Sequence, residues 1–545
     1  MTTVKYDKKM LNILIKQKGI KNKTQLQKLI NPQKKDLYDP FLYQDMQKTV
    51  DRIKAAIDKQ EQITIYGDYD VDGITSTSIV YEALLSLGAK VNYYIPNRFK
   101  DGYGANPATY QKLINQGTQL FITVDNGIRA LEAIDYGNEH HVSTIVTDHH
   151  EMGEELPNAY AIIHAKANHD PYPFKELSGA GVAFKLATAL LGTIPKNLIE
   201  LAALGIVADL VSMTDENHTI VKFGLIMLSQ TKRPGLIDLL DDLSIDRNTI
   251  TEQTISFGLA PVLNSLGRMG DANVGVELLT THDQYRASEL AKFAKDENEK
   301  RKNLVNKLTK EAYAIVKKQN EMISTDASNQ SPITIVAIKS SNLSRGVAGI
   351  VASKLVELTQ KPSLCLILDE NGIAKGSGRS VTGFNLYQAL SQYLNLMENF
   401  GGHEMACGIT ISEGNLDKLK KALLNDSFKV DSTENNKQNE NKISLLPTQI
   451  TTETYTSLRL LAPYGTDFSE PEFNFTGVPT DIKVIGQDQT HIKFKLGNLV
   501  CLGFGKANEI DKLNQKVDIT GKLNLNVFNG RKSTQCFVDT ISDKL

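Results

Sequence analysis

The chain has 545 residues, 41% hydrophobic and 23% charged, which excludes a disordered, collagen-like or disulfide-scaffold protein. Lys plus Arg number 61 against 63 Asp plus Glu, so the formal net charge is −2 and no whole-chain basic excess points to nucleic acid. At about 150 residues per domain, the length predicts three or four domains. Cys365, Cys407, Cys501 and Cys536 show no CxxC spacing, which argues against a zinc site or a secreted disulfide framework and predicts buried apolar cysteines. The basic start has too short an apolar run for a signal peptide, and no apolar stretch approaches the roughly 18 residues of a membrane span. The expectation is a cytoplasmic protein with no membrane contact.

The first sixty residues carry 14 Lys plus Arg and 6 Asp plus Glu. Apolar spacing around Leu11–Ile15, Leu26–Ile30 and Met46–Ile57 predicts three short amphipathic helices. The basic excess reads either as a solvated helical face or as a surface that attracts phosphates. From Ile63 the pattern changes. Strand-like runs at Ile63–Tyr66, Val91–Ile95, Phe121–Val124, Thr144–Thr147 and Ala161–Ile163 alternate with helical patterns at Ser78–Leu87, Pro107–Gln116 and Ala130–Asn138. This predicts βαβ units and a mainly parallel sheet. Helical patterns follow at Val182–Leu191 and Leu198–Ala208.

Residues 283–322 predict one long helix, rich in charge and without Gly or Pro, suited to a spacer between domains. A second α/β unit follows: strand Ile333–Ile338, helix Val347–Leu358, strand Ser363–Leu368 and a helix near Leu386–Leu394. The polar run Asp431–Lys442 predicts a linker or loop tip. The last hundred residues show short strands at His491–Leu496, Leu499–Phe504, Val517–Leu525 and Gln535–Val538, the pattern of a small barrel.

Three strands of the first unit end in acidic or imidazole residues: Gly67-Asp68-Tyr69-Asp70-Val71-Asp72-Gly73, Asp125-Asn126-Gly127 and Asp148-His149-His150. In a parallel sheet such ends lie along one edge, where ligands bind. If the segment after the first strand is extended, Asp70 and Asp72 project to the same side. Crowded carboxylates raise one another's pKa unless positive charge joins them, and a divalent ion supplies it. Carboxylate oxygen with imidazole nitrogen suits Mn²⁺, and Mg²⁺ or Zn²⁺ less distinctively. Two ions bridged by one carboxylate can activate water for phosphoryl displacement. Taken singly these are weak signals, since Asp-Gly is a common turn and His140-His141 shows an unremarkable pair. Three at successive strand ends are not.

The sequences GDYDVDG, VDNG and TDHH, in that order and spacing, resemble the DHH phosphoesterase superfamily. Further segments resemble the RecJ single-strand-specific exonucleases. They are PNR and DGYG (Pro96–Arg98, Asp101–Gly104), YPFKELSGAGVAFKL (Tyr172–Leu186), ADLV (Ala208–Val211), NSLGRMGDA (Asn264–Ala272), GVAGIVASKL (Gly346–Leu355), GSGRS (Gly376–Ser380) and FGGH (Phe400–His403). The likeness runs from about Leu11 into the C-terminal β-unit. It departs from the family pattern at Ser340–Arg345 and at Met405-Ala406-Cys407.

The resemblance implies an α/β protein: two α/β lobes joined by the long helix, plus a C-terminal OB-like β-barrel. The expected divisions are a helical segment at 1–60, a DHH domain at 61–280, the connecting helix at 281–325, a DHH-associated domain at 326–430, a linker at 431–443 and the barrel at 444–545. It implies two divalent ions, Mn²⁺ or Mg²⁺, on Asp70, Asp72, Asp125, His149 and Asp209, with Asp125 bridging. His150 would face the scissile phosphate, Asp68 would support the site or add a ligand, and Asp148 would orient the histidines. Arg268 would grip the phosphate near the metals. Arg98, Ser377 and Arg379 would hold a 5′ phosphate, with Gly401, Gly402 and His403 lining the same pocket. A GSGRS loop also offers backbone N–H groups as a phosphate cradle.

Residues 444–545 carry 11 basic and 11 acidic side chains, so this region has no net attraction for DNA. Phe494, Phe504 and Phe528 are candidate stacking residues, and Lys493, Lys495, Arg531 and Lys532 candidate phosphate contacts. The implied activity is hydrolysis of single-stranded DNA from its 5′ end to 5′-mononucleotides, in recombination and repair, with a helicase and a single-strand-binding protein as family-implied partners. The rivals are a DHH phosphodiesterase or phosphatase for short oligonucleotides and a non-catalytic single-strand-binding scaffold. Length and the terminal β-unit weigh against the first, and the complete carboxylate set against the second.

Overall fold

A computed structural model describes residues 5–102, 104–323, 331–424, 442–528 and 530–543. Residues 431–441 of the expected linker and Tyr103 of the DGYG segment lie outside them. The chain opens with α1 (Lys8–Gln17), α2 (Lys23–Ile30) and α3 (Met46–Asp58). Then come β1 (Ile63–Tyr66), α4 (Val71–Ser86), β2 (Val91–Tyr94), α5 (Pro107–Asn115), β3 (Leu120–Val124), α6 (Leu131–Glu139), β4 (Ser143–Thr147) and β5 (Ala161–Ile163). Six helices follow: α7 (Gly179–Leu191), α8 (Ile199–Ala208), α9 (Asp215–Ser229), α10 (Pro234–Asp242), α11 (Ala260–Met269) and α12 (Asn273–Thr280). The long helix is α13 (Gln284–Ile323). Beyond it lie β6 (Thr334–Lys339), α14 (Ala348–Thr359), β7 (Ser363–Leu368), β8 (Ile373–Arg379), α15 (Leu386–Ser391), β9 (Asn399–His403), β10 (Ala406–Ser412) and α16 (Glu413–Leu424). The C-terminal elements are β11 (Ile443–Ser444), α17 (Thr452–Leu461), β12 (Phe473–Gly477), β13 (Pro479–Ile485), β14 (His491–Leu496), β15 (Leu499–Gly503), β16 (Val517–Phe528) and β17 (Arg531–Asp543).

The chain divides into two compact units. The larger spans Pro40–Asp209 and Ile226–Lys437. It holds a parallel sheet ordered β2-β1-β3-β4-β5 and a mixed sheet ordered β6-β7-β8-β10-β9. β1 and β3 are buried along their whole length, which is why their sequences are apolar runs rather than alternating ones. The helix α13 is more than a spacer. Ala287, Leu290, Ala291 and Ala294 of its first half are buried, and Val305, Leu308, Ala312 and Val316 share a core with Val336, Val351 and Cys365 of the second sheet. An apolar stripe at helical spacing inside a charged segment produces this.

The smaller unit is built from described parts of Met1–Asp39, Leu210–Leu225 and Gln438–Leu545. β12 pairs with β16 and β13 with β14, and only Val478 separates β12 from β13. The two are halves of one strand, so the pairing β14-β15-β17-β16 closes on itself. The result is a five-stranded barrel in which β15 and β17 run parallel. Met10, Leu11 and Leu14 of α1 share its core with Phe473, Phe475 and Phe494. All four cysteines are buried, as their apolar character predicts.

Candidate metal centre and phosphate-binding residues

The site lies in the larger unit, at the C-terminal ends of β1, β3 and β4. Asp70 is extended (φ −93°, ψ −175°) and caps α4, its carboxylate accepting the Gly73 N–H at 3.0 Å. That cap starts the helix at Val71, seven residues before the sequence pattern predicts. Asp72 therefore sits in the first helical turn, and the extended-segment argument for its direction does not hold. What aims it is the start of α7. Asp72 Oδ2 accepts from the Gly179 N–H (2.6 Å), and Oδ1 accepts from the Ala180 N–H (3.0 Å) and the Ser178 hydroxyl (2.8 Å). Sequence reading gave Ser178 no role, although a Ser-Gly-Ala-Gly run opening a helical pattern is an N-cap signal.

Asp125 ends β3 in the left-handed region, at φ 60°. Gly179 passes so close that a Cβ there would lie 2.5 Å from Asp125 Oδ1, so any side chain at this position forces Asp125 or the start of α7 to shift. Asp148, after β4, acts as a clamp. Its Oδ1 accepts from the His149 N–H (2.7 Å), the His150 N–H (3.1 Å) and His150 Nδ1 (2.8 Å), and its Oδ2 from the Ile128 N–H (3.0 Å). The clamp therefore takes His150 through its Nδ1.

These side chains converge. His149 Nε2 lies 3.1 Å from Asp125 Oδ1, 3.5 Å from Asp209 Oδ2 and 3.7 Å from Asp72 Oδ2. Among the described residues, three groups bring ligand atoms within 4.8 Å of one another: Asp72, His149 and Asp209; Asp68, Asp70 and Asp125; and Asp125, His149 and His150. Asp68 thus stands with Asp70 and Asp125. Burial, then repulsion from Asp70, pushes Asp68 up to about 8 and Asp72 up to about 6. Burial and the charges of Asp72 and Asp70 push Asp209 up to about 9, and Asp125 is raised well above the usual range by burial and the same neighbours. Burial and the adjacent His150 hold His149 down at about 3, which leaves its imidazole neutral and able to ligate. Burial disfavours the His150 cation too, but the Asp148 bond and charge outweigh it and lift His150 to about 9. Buried carboxylates around a neutral imidazole are a donor set that calls for a hard divalent cation.

Beside this centre stand several arginines. The Arg98 guanidinium stacks 4.0 Å from the Tyr69 ring centroid, and its Nε is buried without a hydrogen-bond partner among the described residues. Arg268, at the end of α11, donates to the Gly346 carbonyl at 3.3 Å. Arg379 lies on β8. The GSGRS segment is therefore a strand and not a loop: β7 and β10 flank Gly376–Arg379, and the ladder takes up its backbone groups. Only side chains remain for a ligand. Ser377 and Arg379 share one face, against Gly349 of α14, where a Cβ would sit 2.8 Å from an Arg379 terminal nitrogen and 3.5 Å from Ser377 Oγ. Across the sheet Arg379 pairs with Ala406 and then His403, and Ser377 with Gly408 and then Gly401. These pairs share a face. Gly402 pairs with Cys407 and Gly378 and belongs to the opposite face.

Three family models match in chain order: the DHH family, N-terminal domain, at 62–206, the DHHA1 domain at 329–426 and the RecJ OB domain at 443–540. The single-stranded-DNA-specific exonuclease RecJ of Dickeya dadantii is 30% identical over 97% of this chain and 95% of its own. The chain belongs to the RecJ family. The Bacillus subtilis RecJ is 40% identical over 92% of this chain, which spans 64% of that relative's length. The fold matches that of Thermus thermophilus RecJ in complex with Mn²⁺, with a TM-score of 0.75, 24% identity, and 99% of this chain and 79% of that one covered. An exonuclease RecJ bound to manganese matches at 28% identity and a TM-score of 0.59, covering 70% of this chain and 94% of that one.

The barrel of this RecJ-family chain sorts its aromatic residues by strand face. Phe494 is fully buried in the barrel core, so it cannot stack on a base. It alternates with Lys493 and Lys495, which face outward. Phe504 is 55% exposed and meets His491 and Phe537 edge-on, at 5.4 and 5.3 Å. Strand register aligns Lys493, Leu502, Phe537 and Lys522 across β14, β15, β17 and β16. Phe537 and Lys522 escape sequence reading because only the register brings them beside Phe504 and Lys493. Lys495 is paired with Asp481 at 2.7 Å, while Arg531 and Lys532 are exposed at the β16–β17 turn. The side chain of Phe528 falls outside the described residues. Among the described residues, no helix is long and apolar enough to cross a membrane.

Proposed function

We propose that this RecJ-family chain is a metal-dependent exonuclease that degrades single-stranded DNA from the 5′ end and releases 5′-mononucleotides. The observation that carries this reading is the convergence on Asp125. Asp125 offers ligand atoms both to the group with Asp68 and Asp70 and to the group with His149 and His150, so it would be the carboxylate shared by two ions.

One cation would be held by Asp72, Asp125, His149 and Asp209, and the other by Asp70 and Asp125 with Asp68 beside them. Bound Mn²⁺ or Mg²⁺ supplies Lewis acidity and a nucleophilic water at neutral pH. The remaining work falls to side chains. The Ser178 hydroxyl and the start of α7 hold Asp72 rigid. Asp148 keeps His150 cationic, and that imidazolium donates to a non-bridging oxygen of the scissile phosphate as negative charge builds there. Arg268 grips the same phosphate through its planar fork. Arg98, Ser377 and Arg379 hold the 5′ phosphate and set polarity, with Gly401 and His403 extending the shelf of the second sheet. The outer barrel face around Phe504, Phe537 and Lys493 binds the strand without base readout.

The chain acts in the cytoplasm in recombination and repair, with a helicase that supplies single strands and a single-strand-binding protein as partners. The test labels each DNA end separately and follows degradation with Mn²⁺ or Mg²⁺. Label release beginning at the 5′ end is expected, and release beginning at the 3′ end refutes the polarity. Equal turnover of a dinucleotide and a long strand would favour a short-oligonucleotide phosphodiesterase instead.

A further inference from the structure

The long helix carries a positive charge that nothing in the proposed mechanism uses. Arg301 lies in the middle of α13 and is part-buried. Its Nε donates at 3.0 Å to Asn298 Oδ1, and Asn298 itself is only 3% exposed. Among the described residues no carboxylate comes within ion-pair distance of Arg301. The nearby Glu299 is engaged by Lys302 at 2.8 Å, and Glu297 by Lys300 at 2.7 Å. The charge of Glu299 reaches Arg301 only from beyond ion-pair distance, so this half-buried guanidinium has terminal N–H groups able to meet an anion.

The packing shows where Arg301 stands. α11 packs on α13, and Met269, next to Arg268 at the end of α11, belongs to the same core cluster as Val305, one turn beyond Arg301. Gly346 closes on the same point, since a Cβ there would lie 2.3 Å from the Arg268 carbonyl oxygen. Gly349 continues the line to Arg379, and Gly267 meets the backbone of Tyr69, on whose ring Arg98 stacks. All four arginines lie in the larger unit, and Arg98, Arg301 and Arg379 are each close enough to act electrostatically on Arg268. Burial first and then the charges of Arg98, Arg301 and Arg379 push Arg268 down to about 10.

We propose that α13 is part of the strand-binding surface and that Arg301 contacts a backbone phosphate of single-stranded DNA next to the one held by Arg268. Asn298 is the positioning residue that fixes the fork by taking Nε, which leaves the two terminal nitrogens for phosphate oxygens. Three guanidinium groups at the 5′ and scissile phosphates account for one end of a strand. A fourth on the connecting helix gives the following nucleotide an anchor and commits α13 to substrate grip as well as to spacing the two sheets. This inference rests on reading the site as a nuclease for single strands.

The experiment compares the full-length wild type with Arg301→Gln, Arg301→Lys and Lys302→Gln, the last removing an exposed, paired charge on the same helix. Binding of a labelled 5′-phosphorylated oligothymidylate is measured against salt concentration, and KM and kcat are measured with Mn²⁺. Loss of one phosphate contact should reduce the slope of log K against log salt by about 0.7 in Arg301→Gln. KM should rise about tenfold with kcat within about twofold, the pattern of lost uniform binding. Arg301→Lys should regain most of the slope, and Lys302→Gln should keep it. A wild-type slope and KM in Arg301→Gln overturns the proposal while leaving the nuclease reading intact. A wild type that neither binds nor cuts the oligonucleotide overturns both. Should Arg301→Gln lose its folded Tm, Arg301→Met, which keeps the apolar stem without the charge, takes its place with the same expected slope and KM.

Discussion

His149 Nε2 lies 3.1 Å from Asp125 Oδ1, and the two residues terminate neighbouring parallel strands. Twenty-three residues separate them in sequence, yet the register of β3 on β4 brings them to hydrogen-bond distance. Between two such groups only a proton or a cation can sit comfortably. Asp125→Asn should keep the fold and the size of the site while removing the bridging charge. The expected result is a drop of at least about a thousandfold in kcat/KM with Mn²⁺, equal to about 4 kcal/mol of transition-state stabilisation. Activity within tenfold of wild type would remove Asp125 from the site.

The same crowding predicts how stability responds to metal. Burial and mutual repulsion raise Asp68, Asp72, Asp125 and Asp209, so the metal-free fold carries strain at neutral pH. Adding Mn²⁺ should raise Tm, and chelation should lower it again. Asp125→Asn should melt above the metal-free wild type and lose most of the metal-induced rise. Differential scanning calorimetry in the two states measures both. A metal shift in the variant equal to that of wild type contradicts the shared-carboxylate arrangement.

Gly179 provides a steric test. Alanine is the better helix former by about 1 kcal/mol, so propensity alone predicts that Gly179→Ala stabilises α7. The new Cβ would lie 2.5 Å from Asp125 Oδ1, and the start of α7 also holds Asp72. Sterics should win. The variant should bind Mn²⁺ at least about tenfold more weakly by titration calorimetry while remaining folded. Unchanged affinity would show that the carboxylates tolerate displacement.

Arg379→Gln should act on end recognition and leave the metals alone. The ratio of turnover on 5′-phosphorylated to 5′-hydroxyl strands should fall about tenfold, since a charge-assisted pair to phosphate is lost. An unchanged ratio would place the 5′ pocket elsewhere.

The barrel predicts opposite outcomes for two phenylalanines. Phe494 is fully buried, so Phe494→Ala should cost about 3–5 kcal/mol in denaturant unfolding. Phe504 is 55% exposed, so Phe504→Ala should change stability by less than about 1 kcal/mol. It should weaken single-strand affinity by about 1–3 kcal/mol through lost stacking. Equal affinity in Phe504→Ala would remove that face from the strand path.

The amino-acid sequence by itself determined the parallel sheet, the long helix and the strand-end clusters. Each is written locally, in apolar runs of strand length, in helical spacing without breakers and in acidic residues directly after β1, β3 and β4. Directions and faces were decided by tertiary structure. Asp72 looked extended because a two-residue alternation is all that GDYDVDG shows, whereas the Asp70 cap turns the chain into α4 one residue later. GSGRS looked like a loop because glycine favours turns, whereas two flanking strands make it part of a ladder. Phe494 and Phe504 look alike in sequence, and barrel closure puts one inside and one outside. The roles of Ser178 and Asn298 and the nearness of Arg301 to Arg268 exist only once distant helices pack. Local patterning records what one segment prefers. Which carboxylate meets which imidazole, and which arginine faces the others, depends on contacts between segments far apart in the chain, and only the closed fold makes those.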